Sequence, residues 1–123
     1  MTNGKNKVLI IDDDSRNIFA LSLVLKSRGF SSISASGAKE GFKILAENRD
    51  IGIILMDMMM PDMDGYEAME KLRSDKDLTG TPVIAVTAQA MTGDREKCLN
   101  AGAIAYISKP VDVDALVELL NRY

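Results

Sequence analysis

Histidine is absent from the 123 residues, so any histidine-based acid/base chemistry, metal binding or phosphohistidine formation must come from elsewhere. Cysteine occurs once, at Cys98, which rules out an internal disulfide and fits a reducing compartment. No apolar stretch approaches the length of a membrane span, and no charged-apolar-cleavage pattern opens the chain. Membrane insertion is therefore not expected, and the expected location is cytoplasmic. Basic residues are outnumbered 15 to 18, for a net charge of −3, so nucleic acid is not expected as a direct partner. Repeats at solenoid periods, low-complexity tracts and an internal linker are all missing. What remains is one domain of ordinary size, 46% hydrophobic and 27% charged, with enough chain for a proper core.

The most informative stretch is Ile53-Ile54-Leu55-Met56-Asp57-Met58-Met59-Met60-Pro61. An apolar run that stops at a single carboxylate, with a proline four residues on, has the pattern of a strand buried on both faces of a parallel sheet. Val8-Leu9-Ile10-Ile11 is a second such run, and it too ends in acid, Asp12-Asp13-Asp14. Open α/β sheets place their ligands at the carboxyl ends of strands. Two buried strands delivering carboxylates to one edge would build an acidic pocket, with Asp57 as a nucleophile that accepts a phosphoryl group.

Met1 to Asn6 is polar and reads as a mobile tail, residues 1–6, ahead of a domain over residues 7–123. The first strand covers Lys7 to Asp12. Ser15 to Arg28 carries Ile18, Leu21 and Leu25 at helical spacing, with Phe19 and Leu23 widening the stripe, and Gly29 closes the helix with Phe30 packing back. Ser31 to Ala35 is a serine-rich edge-strand candidate. Ser36 is placed to cap a helix over Gly37 to Asn48, with Phe42 and Leu45 inward. The third strand is Ile51 to Met56. Asp64 and Glu67 resemble a capping box opening a third helix, with Ala68 and Leu72 inside. Val83 to Thr87 is the fourth strand. Thr92 is placed to cap a fourth helix closed by Ala101-Gly102. Ala103 to Ile107 is the fifth strand, Lys109-Pro110 a turn, and Asp112 the cap of a last helix carrying Leu116, Leu119 and Leu120. Five strand-helix repeats imply right-handed crossovers and a five-stranded parallel sheet with helices on both faces. The chain ends just after the fifth helix, so no output domain is expected.

The strand ends then supply Asp12, Asp13 and Asp14, Asp57, Thr87 and Lys109 to one edge. Each has a plain explanation alone: a helix-capping acid cluster, a turn residue, a strand-end hydroxyl, a solvated lysine. Their coincidence at four strand ends favours function. Two like charges about 4 Å apart repel by about 4 kcal/mol at an effective dielectric near 20, so Asp12, Asp13 and Asp57 together need compensation. Lys109 offers one positive charge and a divalent cation the rest. Carboxylates and a backbone carbonyl, with positions left for water and phosphate oxygens, suit Mg²⁺, and Mn²⁺ is expected to substitute. The methionines Met56, Met58, Met59, Met60 and Met63 read as core and loop filling rather than a soft-metal site, and Cys98 as packing.

Ile10-Ile11-Asp12-Asp13-Asp14, Met56-Asp57-Met58-Met59-Met60-Pro61-Asp62-Met63-Asp64-Gly65, Val86-Thr87-Ala88 and Ser108-Lys109-Pro110 stand in this order over nearly the whole chain. In motif and spacing the chain resembles the receiver domains of two-component response regulators. The resemblance implies a flavodoxin-like, doubly wound three-layer (βα)5 sandwich of strand order 2-1-3-4-5. It implies that Asp57 is the phospho-acceptor and that Asp13, Asp57 and the Met59 backbone carbonyl hold Mg²⁺, with Asp12 acting largely through water. Thr87 would hydrogen-bond the phosphoryl group, Lys109 would pair with it, and Tyr106 would be the switch aromatic, although buried tyrosine is often simply core. The Lys109-Pro110 bond is cis in many relatives. Met59 and Gln89 would flank the water path that sets the phosphoryl lifetime, and since neither is a base no unusual acceleration of dephosphorylation is expected.

The implied donor is phosphohistidine on a histidine kinase or histidine phosphotransfer domain. The implied recipient of the switch is a downstream protein or an intramolecular kinase domain, acting through the face made by the fourth helix, fifth strand and fifth helix. A homodimer that forms on phosphorylation is a further partner the resemblance allows. Such a domain is not an enzyme in the ordinary sense, beyond catalysing its own phosphorylation and slow dephosphorylation. The run Gln89 to Cys98 and the Lys109-Pro110-Val111-Asp112 ending look most like receivers at the end of hybrid sensor kinases.

Two rival readings stay open from sequence. Asp12-Asp13-Asp14-Ser15 resembles the opening of haloacid-dehalogenase-type phosphatases, with Asp12 as nucleophile, but Arg16 stands where that motif wants a small threonine or valine and there is no room for a cap domain. The other rival is a receiver-like interaction module that is never phosphorylated, which the intact set of key residues disfavours.

Overall fold

The computed structural model describes residues 7–61, 63–76, 78, 80–88 and 93–123. The expected tail at residues 1–6 lies outside them, as do Asp62, Gln89 and Thr92. Strands and helices alternate throughout: β1 Lys7–Ile11, α1 Ser15–Ser27, β2 Ser31–Ala35, α2 Ala38–Glu47, β3 Ile51–Asp57, α3 Gly65–Ser74, β4 Val83–Thr87, α4 Asp94–Asn100, β5 Ala105–Ser108 and α5 Val113–Arg122. The strands form one sheet of order β2-β1-β3-β4-β5, every pairing parallel.

The two-residue period of the strands sorts the core into two layers. Val8 and Ile10, Ile53 and Leu55, and Ile84 and Val86 face Leu21 and Leu25 of α1 and Leu116 and Leu120 of α5. Their neighbours Leu9 and Ile11, Ile54 and Met56, and Val83 and Ala85 face Ala38 and Leu45 of α2, Ala68, Met69 and Leu72 of α3, and Cys98 of α4. A strand apolar at every position is thus what burial on both faces requires, and β3 is buried from end to end. β2, with its serines partly exposed, takes the sheet edge.

Helix ends follow local chemistry. Asp14, Asp64 and Asp112 cap α1, α3 and α5 by accepting N–H bonds from Arg16, Glu67 and Ala115. α1 closes with Gly29 at φ 89°, while Phe30 N–H reaches Leu25 O at 2.9 Å and Gly29 N–H reaches Lys26 O at 3.2 Å.

Four sequence expectations need correction. Phe19 and Leu23 are 66% and 54% exposed rather than part of the buried stripe, because α1 turns Leu21 and Leu25, and not these two, into the core against the sheet. α2 is capped by Gly37, not Ser36; Ser36 instead bonds the Glu40 carboxylate through its hydroxyl (2.9 Å) and its N–H (3.2 Å). Gly93 is the N-cap of α4. The fifth strand begins at Ala105, not Ala103, because the Ala103 N–H is spent on Cys98 O in closing α4 over Gly102.

Candidate functional site

The sheet register carries the strand ends to one edge. Ile11 pairs with Met56, Asp57 with Val86, and Thr87 with Ser108, so the residues at or just past these pairs emerge side by side. Backbone bonds hold the emerging chain in line: Asp12 N–H to Ala35 O (3.1 Å), Met58 N–H to Val86 O (2.9 Å) and Lys109 N–H to Thr87 O (2.8 Å). The Lys109–Pro110 bond is cis. In the next loop, Gly65 N–H returns to Met58 O at 3.2 Å. A Cβ on Gly65 would sit 2.8 Å from Met58 Cα, so only glycine lets the start of α3 lie this close to the end of β3.

Asp12, Asp13 and Asp57 each present a carboxylate oxygen within 4.8 Å of the others. Asp12 and Asp57 are 2% and 4% exposed, whereas Asp13 faces solvent. The Lys109 ammonium stands between the buried pair, 3.4 Å from Asp12 Oδ2 and 3.5 Å from Asp57 Oδ2. Asp57 Oδ1 accepts the Met59 N–H at 3.0 Å. Asp12 is held on both oxygens: Oδ1 accepts the Asp14 N–H (2.8 Å) and Oδ2 the Asn17 side-chain amide (2.6 Å). Asn17 escaped the sequence reading, although an amide in the first helical turn, five residues after a strand-end acid, was a signal within reach.

Burial pushes the Asp57 carboxyl up to about 6, and the negative charge of Asp12 adds to the rise; the Met59 N–H and the Lys109 charge oppose it. The surroundings therefore favour a site that gains positive charge. Three hard carboxylate oxygen donors within 4.8 Å of one another suit a small divalent cation.

Beside the acids lies a cleft of about 590 Å³, bordered by Asp13, Met59, Thr87, Tyr66, Asp94 and Lys97. Met59 is 50% exposed at its mouth. The Lys97 ammonium sits 4.4 Å from the centre of the Tyr66 ring, and the Tyr66 hydroxyl lies 3.6 Å from the buried Cys98 sulfur. Burial raises the Tyr106 hydroxyl pKa, with Asp94 and Cys98 contributing. Met56, Met58 and Met60 are buried in the core and Met63 packs against it, as expected of filling rather than of a soft-metal site.

The family model described as the response regulator receiver domain matches residues 8–121. The chain is a response regulator receiver domain. Over 116 residues, 94% of each chain, this receiver is 35% identical to the polar-differentiation response regulator DivK of Brucella anthropi. A response regulator receiver protein from Pseudomonas putida superposes with a TM-score of 0.89 at 29% identity, covering 97% of the receiver and 98% of that chain. The receiver domain of a sensor histidine kinase from Pseudomonas aeruginosa, solved with a magnesium ion coordinated in its active site cleft, gives 0.85 at 31% identity over 96% of both chains. The flavodoxin-like order expected of the receiver fold is the order observed.

Proposed function

We propose that Asp57 accepts a phosphoryl group from the phosphohistidine of a histidine kinase or a histidine phosphotransfer domain, within a cytoplasmic two-component phosphorelay. The observation that carries this reading is the convergence of Asp12, Asp13, Asp57 and Lys109 at one buried strand edge. The receiver unit is residues 7–123. Asp12, Asp13, Asp57 and the Met59 carbonyl are the groups that would hold Mg²⁺, or Mn²⁺ in its place. Bound there, the cation supplies charge neutralisation for the phosphoryl oxygens.

A carboxylate oxygen of Asp57 attacks phosphorus in line with the P–N bond. The O–P bond forms as the P–N bond breaks, and the electron pair leaves with the donor imidazole, which takes up a proton. The chain itself contributes position and charge rather than covalent chemistry. Lys109 moves its ammonium from the carboxylates to a phosphoryl oxygen, and the Thr87 hydroxyl donates to another. Thr87 follows Val83 and Ala85 on the face that packs on α2, α3 and α4, and Tyr106 pairs with Ala85 and packs on that same face. Drawing Thr87 toward the phosphoryl group opens room that Tyr106 fills. The readout is a population shift in the α4–β5–α5 face, to be read by a downstream protein or an attached kinase domain, as in receivers of hybrid kinases. Phosphorylation-dependent pairing of two copies through that face is a further consequence of the same shift. Met59 and Gln89 carry no base, so the acyl phosphate has an ordinary lifetime. Asp12 is the more tightly engaged of the two buried acids, with donors at 2.8 and 2.6 Å against 3.0 and 3.5 Å for Asp57, which favours Asp57 over Asp12 as the nucleophile.

Intact-mass measurement after incubation with acetyl phosphate and Mg²⁺ tests this directly. The parent gains one phosphoryl group, and Asp57→Asn gains none. Equal gain by both, or no gain by a parent shown to be folded, overturns the assignment.

A further inference from the structure

Asp12 is the most heavily bonded acid of the cluster, and its shortest bond comes from outside the strand ends. Asn17 is the third residue of α1. In a capping box a side chain at this position reaches back to the N–H of the cap residue. Here the N–H of the cap residue, Asp14, is already taken by Asp12 Oδ1 at 2.8 Å. The Asn17 amide is thereby released to donate to the other oxygen of Asp12, at 2.6 Å. An ionised carboxylate only accepts, so the atom facing it is the NH₂ of the amide.

Asp12 Oδ2 thus has two donors of unequal grip. The neutral amide is at 2.6 Å and the Lys109 ammonium at 3.4 Å, while the same ammonium is 3.5 Å from Asp57 Oδ2. The cation is shared loosely by two acids because a neutral group already satisfies one of them. Without the amide, the Lys109 ammonium would face an Asp12 oxygen relieved of its closest donor, and attraction would draw it to Asp12 and away from Asp57.

We infer that Asn17 is a positioning residue of the phosphorylation site: it holds Asp12 in place for the cation and leaves Lys109 mobile enough to follow the phosphoryl group. The inference rests on the function proposed above and deepens it. It also explains why an amide, a weaker helix former than alanine, occupies a half-buried position in the first turn of α1.

The test compares the parent with Asn17→Ala and Asn17→Gln. Mg²⁺ affinity is read by calorimetry without any phosphodonor, and the initial rate of acetyl phosphate uptake is read at saturating Mg²⁺. Partners behind a metal ligand typically contribute about tenfold or more to metal affinity, so Asn17→Ala is expected to bind Mg²⁺ about tenfold more weakly. It is also expected to take up phosphoryl more slowly even at saturation, with Asn17→Gln recovering much of both. Alanine strengthens the helix, so a fold lost through α1 would not mimic this result, and circular dichroism confirms the point. Parent-like behaviour of Asn17→Ala, or equal impairment of Asn17→Gln and Asn17→Ala, overturns the inference while a phosphorylated parent leaves the proposed function standing. A folded parent that neither binds Mg²⁺ nor gains a phosphoryl group overturns both.

Discussion

Asp57 lies in a setting that disfavours its own charge, and the direction of that effect can be measured. Its carboxyl is raised from 3.8 to about 6, chiefly by burial. The folded protein therefore binds this proton more tightly than the unfolded chain does. Stability from the neutral acid is fully present below about pH 4 and is lost as pH rises through about 6. In the absence of Mg²⁺, Asp57→Asn is expected to be about 1–3 kcal/mol more stable than the parent at pH 7.5, with the gap closing by pH 4.5; paired denaturant melts at the two pH values check this. Mg²⁺ requires the ionised form, so its affinity should fall as pH drops below about 6 and level off above 7, which calorimetric titration across that range would show. The acids and Lys109 were legible in the sequence because each ends an apolar run. Asn17 was not, because its role depends on where Asp14 spends its N–H, and no residue pattern states that.

At the level of elements, the start of α3 approaches the end of β3 very closely across the loop between them. Gly65 packs against Met58 so closely that a Cβ would overlap backbone, which cannot swing aside as a flexible side chain can. Gly65→Ala is expected to cost about 1–3 kcal/mol and to slow phosphoryl uptake, since Met59 and its N–H bond to Asp57 ride on this loop. Thermal melts and acetyl phosphate kinetics read the two effects separately. Parent-like values for both would mean that the close approach is not needed. The strands were readable because apolar runs and turn signals bound them, and β2 and β4 fall where the pattern placed them. Helix starts were harder to place. Ser36 and Thr92 have good capping chemistry, but Gly37 and Gly93 hold the cap positions. The choice between adjacent cap candidates is settled by the path of the preceding loop, which is a tertiary matter.

For the whole molecule, the sheet keeps the two halves of the proposed switch on one face. Thr87 and Tyr106 lie on the side of α2, α3 and α4, and β5 links that side to α5 through the cis turn at Lys109-Pro110. Phosphorylation of the parent should change amide hydrogen exchange in α4, β5 and α5 and leave β1, α1 and β2 largely unaltered. Thr87→Ala should still gain a phosphoryl group, more slowly, without that distant change. A full exchange response in Thr87→Ala would remove Thr87 from the coupling. The alternation of elements was enough to anticipate a parallel five-stranded sheet, while its order rested on resemblance to receivers and is the order found. The exposed flank of α1 was misread because helical spacing says which residues share a stripe, not which of them turn into the core.

The central claim is chemical and local: one carboxylate, Asp57, forms the acyl phosphate. Borohydride cuts an aspartyl phosphate reductively and leaves homoserine in its place, so peptide mapping after acetyl phosphate and Mg²⁺ treatment locates the acceptor residue. The expected result is homoserine at position 57 and nowhere else. Homoserine at position 12 or 13, or an unmodified chain, would contradict it.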